Sequence, residues 1–198
     1  METTSLRNRS AWQVVAGRIA RFFGIHIYDL YYGEKGLLSP LEPVVPSPPT
    51  EVRLATPEDL NRIICSIGGT TRRKFDHNIA VYSCHAAFHE GTITGYLWVN
   101  RQVIDMKGMY VAKLPPKSSL VRNVFVLPEH RRKRIFRYLF RAVCNEMHKA
   151  GFLSITCLID KANSQSVEAF KNEGFEFHNA AVLKLPRIKP ILFCRALA

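Results

Sequence analysis

Four consecutive cations, Arg131, Arg132, Lys133 and Arg134, stand between the apolar run VFVL and the helical-looking segment IFRYLFRAVCNEM. Like charges packed this closely repel, so the run calls for a counter-charge. A strand that turns directly into a helix aims the first N–H groups of that helix outward. Those groups lack helical partners and carry the positive end of the helix dipole. A phosphate or carboxylate placed there is held by geometry as well as by charge. On its own, the same run also reads as a solvated face, a localisation signal or a nucleic-acid patch.

The elements around this turn follow from periodicity. SLVRNVFVL alternates as a strand and leads into the turn. From Ile135, apolar residues at Phe136, Leu139, Phe140, Val143, Cys144 and Met147 recur at helical spacing, and Gly151 closes the helix. FLSITCLI is apolar almost throughout, as a central strand would be. NSQSVEAFKNEG is a short helix, and FEFHNAAVLKL and KPILFCRAL are two final strands separated by Pro186. Upstream, EVRLA is a strand. Thr56 caps a helix with Pro57 at its first position and Asp59 completing a capping-box pattern. Glu90-Gly91-Thr92 reads as a hairpin turn between two apolar strands. The order predicts a mixed α/β layer with one crossover helix in the middle.

Residues 38–50 hold five of the eleven prolines, a density that excludes helix and central strand. They read as an extended linker between an N-terminal helix and strand appendage, 1–37, and a main domain, 51–198. In the appendage, residues 11–23 form an amphipathic pattern with Arg18 and Arg21 off the apolar stripe. It suits a helix docked on the domain, or a basic helix at an anionic membrane. Arg18 and Arg21 also interrupt any signal-peptide core, and no run reaches membrane-spanning length without charge. A net charge of +12 in 198 residues favours anionic partners without choosing among nucleic acid, membrane, phosphate cofactor or acidic protein. Five widely spaced cysteines without a C-x-x-C pair read as reduced thiols in a cytoplasmic protein, and no metal site is expected.

Two motifs together resemble the GNAT superfamily of N-acyltransferases. The first is Val126, Pro128, Arg131, then Arg134 and Phe136, on a strand–turn–helix. The second is Asn163, Ser166, Phe170, Gly174 and Phe175, with all spacings kept. EVRLATPEDL and EGTITGYLWV are similar to that family's first strand and central hairpin, so the likeness spans roughly 51–185. It implies a mostly antiparallel central sheet flanked by helices, with two central strands splayed at a bulge near Asn123. It implies acetyl-CoA, or a longer acyl-CoA, as the acyl donor. The pantetheine arm would pair with Val124, Phe125 and Val126. The pyrophosphate would sit on Arg131, Arg132, Lys133, Arg134, Ile135 and Phe136. Asn163, Ser166 and Phe170 would form the opposite wall. An amine would attack the thioester directly, and a backbone N–H near Val124 or Phe125 would stabilise the oxyanion.

The chain departs from that pattern in four places. Arg134 and Phe136 stand where glycine and a small residue are usual: either they point away and leave the amides free, or they fill the phosphate space. Phe170 stands where a tyrosine acid is usual, and Leu120 near a common glutamate base. The remaining catalytic candidates are Asn123, Tyr110 and Glu129, with Asp105, His85 and Tyr96 behind them. The acceptor would be a small-molecule or peptide amine, and an acyl carrier protein could stand in for CoA. The alternative is a degenerate binding module whose basic face takes nucleic acid or an acidic protein. Poor aromatic interleaving in the basic run disfavours nucleic acid.

Overall fold

A computed structural model describes residues 22–67, 82–106 and 109–195. The amphipathic pattern at 11–23, apart from its last two residues, and the loop TTRRKFDH lie outside them. The strands are β1 (His26–Gly36), β2 (Glu51–Leu54), β3 (Ser83–His89), β4 (Thr92–Asn100), β5 (Val103–Met106), β6 (Met109–Lys113), β7 (Ser118–Val126), β8 (Ser154–Asp160), β9 (Glu176–Lys184) and β10 (Ile191–Arg195). The helices are α1 (Pro57–Ile67), α2 (Ile135–Lys149) and α3 (Ser164–Lys171). Eight strands form one sheet in the order β10-β9-β1-β8-β7-β4-β3-β2, and β5–β6 is a separate hairpin. Every pairing is antiparallel except β7 with β8. This is the mixed, mostly antiparallel α/β layer that the sequence predicts.

Helices α2 and α3 cover one face of the sheet. Their apolar stripes close over Val121, Ile155, Cys157 and Phe175 to form the largest core. The opposite face carries α1 over Trp98 and Phe125, and the β5–β6 hairpin over Leu30, Leu120 and Val182. The start of α1 is capped in both directions. The Asp59 N–H donates to Thr56 Oγ1 at 3.2 Å, and the Thr56 N–H donates to Asp59 Oδ2 at 2.9 Å. The Arg53 guanidinium beside Asp59 holds its carboxyl down at about 2.

One boundary needs correction. Residues 26–36 are not an appendage: β1 lies inside the sheet, pairing with β8 on one side and β9 on the other. The proline-rich segment does not hang free between two units either. Asn145 of α2 donates to the Leu41 carbonyl at 3.0 Å and accepts from the Leu41 N–H at 2.7 Å. Arg141 donates to the Glu42 carbonyl at 3.0 Å, and the Ser47 N–H reaches the Lys133 carbonyl at 3.3 Å. Proline without a donor cannot join a ladder, but its carbonyls still accept bonds. The segment is a strap across α2, fastened by side chains of that helix.

Candidate functional site

The site begins with a defect in a strand. In β7, Phe125 pairs with Tyr96 and Arg122 with Trp98, so Asn123 and Val124 together oppose Leu97 alone. Asn123 carries φ +48°, a conformation that asparagine tolerates better than most residues. This is a β-bulge, and it bends the strand that contains it. On the other edge, β7 and β8 run side by side from Ser118–Ser154 to Val121–Cys157 and pair no further. Below that point the strands are fastened by Ser118 Oγ to Ser154 Oγ at 2.7 Å and by Thr156 Oγ1 donating to the Ser119 carbonyl at 3.2 Å. Above it, β7 keeps to β4, as the Leu127 N–H donating to the Thr94 carbonyl shows. Strand β8 diverges and leaves a gap between the two.

A cavity of about 210 Å³ fills the helix side of this gap. Val121, Asn123 and Val124 form one wall; Cys157, Ile159 and Asp160 form the second; Asn163, Ser166 and Phe170 of the α3 region close the third. Asn163 caps α3, accepting from the Ser166 N–H at 3.1 Å. Phe170 is buried among Phe140, Phe136 and Phe175. Burial also pushes the Cys157 thiol well above its ordinary range.

The basic turn closes the far end of β7. A 3-10 turn at Pro128–His130 leads through Arg131–Arg134 into α2. Arg132 and Arg134 both have φ +61°, the alternation of hand on which an anion nest is built. Among the described residues, no backbone carbonyl accepts from the amides of Arg132 to Arg137. No side chain caps α2, and its first turn carries no acidic residue. Phe136 turns inward, its ring 5.8 Å from that of Phe140 and 5.4 Å from that of Phe170. Arg132, Lys133 and Arg134 are exposed, while Arg131 folds back to donate to the Val126 carbonyl at 3.2 Å. Phe136 thus packs against the core and the Arg134 side chain is exposed. Buried Glu173 accepts from Arg137 Nε at 2.6 Å and Arg141 Nε at 2.8 Å, which fixes α2 against the end of α3.

Asn123, Val124, Asn163, Ser166 and Phe170 thus meet at one cavity, with the Arg131–Phe136 turn beyond it. Tyr110 and Glu129 line neither this cavity nor the one behind it. Tyr96 is buried under α1, stacked on Phe125. His85 is buried on β3 beside Glu146. Leu120 packs into the hairpin-side core. Among the described residues no cluster of His, Cys, Asp or Glu is arranged to hold a metal ion, and no helix is long and apolar enough to cross a membrane.

Sequence reasoning missed the hairpin side of the gap. There Arg122 of β7 is locked to Asp105 of β5 and donates to the Tyr82 hydroxyl at 3.1 Å. Tyr28 of β1 and Asp160 of β8 complete that wall. Of these residues Asp105 alone is a candidate from sequence; Arg122, a cation in the interior of a strand, is a further local signal.

The profile of the acetyltransferase (GNAT) family matches residues 54–175. No curated protein matches the chain in sequence. Among solved structures, a functionally unknown conserved protein from Staphylococcus epidermidis is similar over 89% of this chain and 69% of its own, at 12% identity and TM-score 0.55. An IAA acetyltransferase from Bacillus cereus is similar over 64% and 77%, at 12% identity and TM-score 0.52. The GCN5-related glucosamine N-acetyltransferase region of a fungal multi-domain β-N-acetylglucosaminidase is similar over 91% of this chain and 24% of that one, at 10% identity and TM-score 0.57. At these identities the likeness is one of fold.

Proposed function

From membership of the acetyltransferase (GNAT) family, to which this chain belongs, we propose that it moves an acetyl group from acetyl-CoA to an amine by direct attack. The observation that carries this reading is the gap itself. Strand β7 stays bound to β4 but leaves β8 after Val121–Cys157, and the β7 helix junction ends in a nest of unpaired amides. A β7 edge without a neighbour suits the extended, amide-bearing arm of CoA, which can pair with it as an added strand. The amides from Arg132 to Arg137 suit the pyrophosphate, and exposed Arg132, Lys133 and Arg134 add charge-assisted contacts. Bound there, CoA would supply the activated thioester.

The chain's own part is to position that thioester and stabilise charge. Backbone at the bulge, near Val124 and Phe125, is placed to meet an oxyanion. Asn163 and Ser166 hold the opposite wall. The inner end is closed by Val121, Cys157 and Phe170, which supports a short acyl group over a long one. Neither Phe170 nor Leu120 can move a proton. Unpaired thiols at Cys84, Cys144, Cys157 and Cys194 support a cytoplasmic setting.

The test is thermal. CoA and acetyl-CoA should raise the Tm, less so as ionic strength rises and phosphate contacts are screened. No shift with any acyl-CoA, alongside RNA or DNA binding with a steep salt slope, would overturn the reading in favour of a binding module.

A further inference from the structure

A second cavity, of about 180 Å³, opens on the hairpin side of the same split. It shares Arg122, Asn123, Leu158 and Asp160 with the first, so the two meet through the gap in the sheet. Register fixes which side chains face it. Asp160 pairs with Leu30 across the β1–β8 ladder, and cross-strand partners share a face. Leu30 belongs to the hairpin-side core, and Tyr28, two residues earlier on β1, packs there too.

The charges in this cavity are unequal. Arg122 and Asp105 neutralise each other as a buried pair, with side chains 15% and 5% exposed. Asp160 makes no ion pair among the described residues. Its Oδ1 accepts from the Ala162 N–H at 3.0 Å, and a carboxylate has further acceptor capacity on its second oxygen. The remaining walls are Leu30, Met106, Leu120 and Leu158, which are apolar, with Tyr28 and Asn123. A largely apolar chamber with one carboxylate in excess, Asp160, at its solvent-exposed edge favours a small cation over an anion. Its volume is below the about 300 Å³ at which drug-sized pockets begin.

Resting on the transferase reading, we propose that the acceptor is a small primary amine with an apolar body and no carboxylate beside the nitrogen. Asp160 holds its ammonium and takes its proton, and Tyr28 and Leu30 wall the body. The ammonium gives one proton to the Asp160 carboxylate, which passes it to water. The freed lone pair forms the C–N bond to the thioester carbon, the C–S bond breaks, and the second amine proton leaves with sulfur as the thiol. Strand β1, which brings Tyr28 and Leu30, lies outside the residues that match the family, 54–175, whereas Asp160 lies within them.

Calorimetry tests this on the full chain, with CoA and with n-pentylamine, the latter with and without saturating CoA. Norleucine, the same amine with a carboxylate on the nitrogen-bearing carbon, is the paired probe. Asp160→Asn keeps the oxygen that accepts from Ala162 and removes only the charge. It should weaken pentylamine binding about tenfold or more. In the wild type, pentylamine should bind at least about tenfold tighter than norleucine, a comparison that stands even if the variant fails to fold. An unchanged pentylamine Kd in Asp160→Asn, or norleucine binding as well as pentylamine, overturns the assignment. If CoA does not bind but pentylamine does so through Asp160, the transferase reading falls and the amine site stands.

Discussion

Arg134 sits at φ +61°, where a side chain with a Cβ costs about 1–2 kcal/mol. Its guanidinium is exposed and its backbone caps α2 without a side-chain bond. Arg134→Gly removes that strain and leaves the nest amides in place. The lower cost of glycine there is partly offset by its greater freedom in the unfolded chain. The expected result is a Tm raised by a few degrees, with CoA affinity equal or tighter in a titration. A clear loss of affinity would make the guanidinium itself a phosphate ligand. At this scale the turn into α2 and the α3 wall of the cavity were legible because their residues are local. Val126, Pro128 and Arg131 share one turn, and Asn163, Ser166 and Phe170 share one short helix. Asp105, Arg122, Asp160 and Tyr28 come from four different strands, and nothing in spacing alone joins them.

Elements were legible wherever their signals are intrinsic. The Thr56 cap, the apolar stripe of α2 and the alternation of β1 each announce a helix or strand. Partners are a different matter, because a strand's alternation says which residues face one side and not which strand lies beside it. The prolines at 38–50 read as a domain boundary for that reason: they exclude a ladder but say nothing about Asn145 and Arg141, which fasten them. Gly33 shows what β1 needs in order to fit. A Cβ there would lie 2.7 Å from Phe177 Cε1, 2.8 Å from Cys157 Sγ and 3.1 Å from Phe175 Cδ1. The strand passes under these side chains only because glycine has none. Gly33→Val should destabilise the protein by about 1–3 kcal/mol through overpacking, measured by urea denaturation. Unchanged stability would mean that Phe175 and Phe177 can swing aside, and that β1 is not held by fit.

For the whole molecule, the pH dependence of stability should show one histidine. His85 is fully buried on β3, its Nδ1 3.4 Å from Glu146 Oε2. Burial pushes its pKa below 6.5, Glu146 pulls the other way, and Arg101 adds to the depression. The folded state therefore prefers the neutral ring. Stability is full above pH 6.5 and is lost as pH falls from there towards the folded pKa, because the unfolded chain binds the extra proton. Melting temperatures measured across this window should decline for the wild type and stay flatter for His85→Gln. Asp59 acts in a separate window, between its ordinary 3.8 and about 2, so the two declines can be told apart. The position of β1 has a consequence in time. It leaves the ribosome before its hydrogen-bond partners, β8 and β9, which are distant from it in sequence. Such distant pairings are slow to form, and until they do the sheet lacks a strand in its middle. The nascent chain can build α1, the β3–β4 hairpin and even the Arg131–Arg134 turn while Tyr28 and Leu30 still have no wall to join. Synthesis itself thus delays the closing of the cavity that Tyr28 and Leu30 wall until the strands beside β1 have emerged.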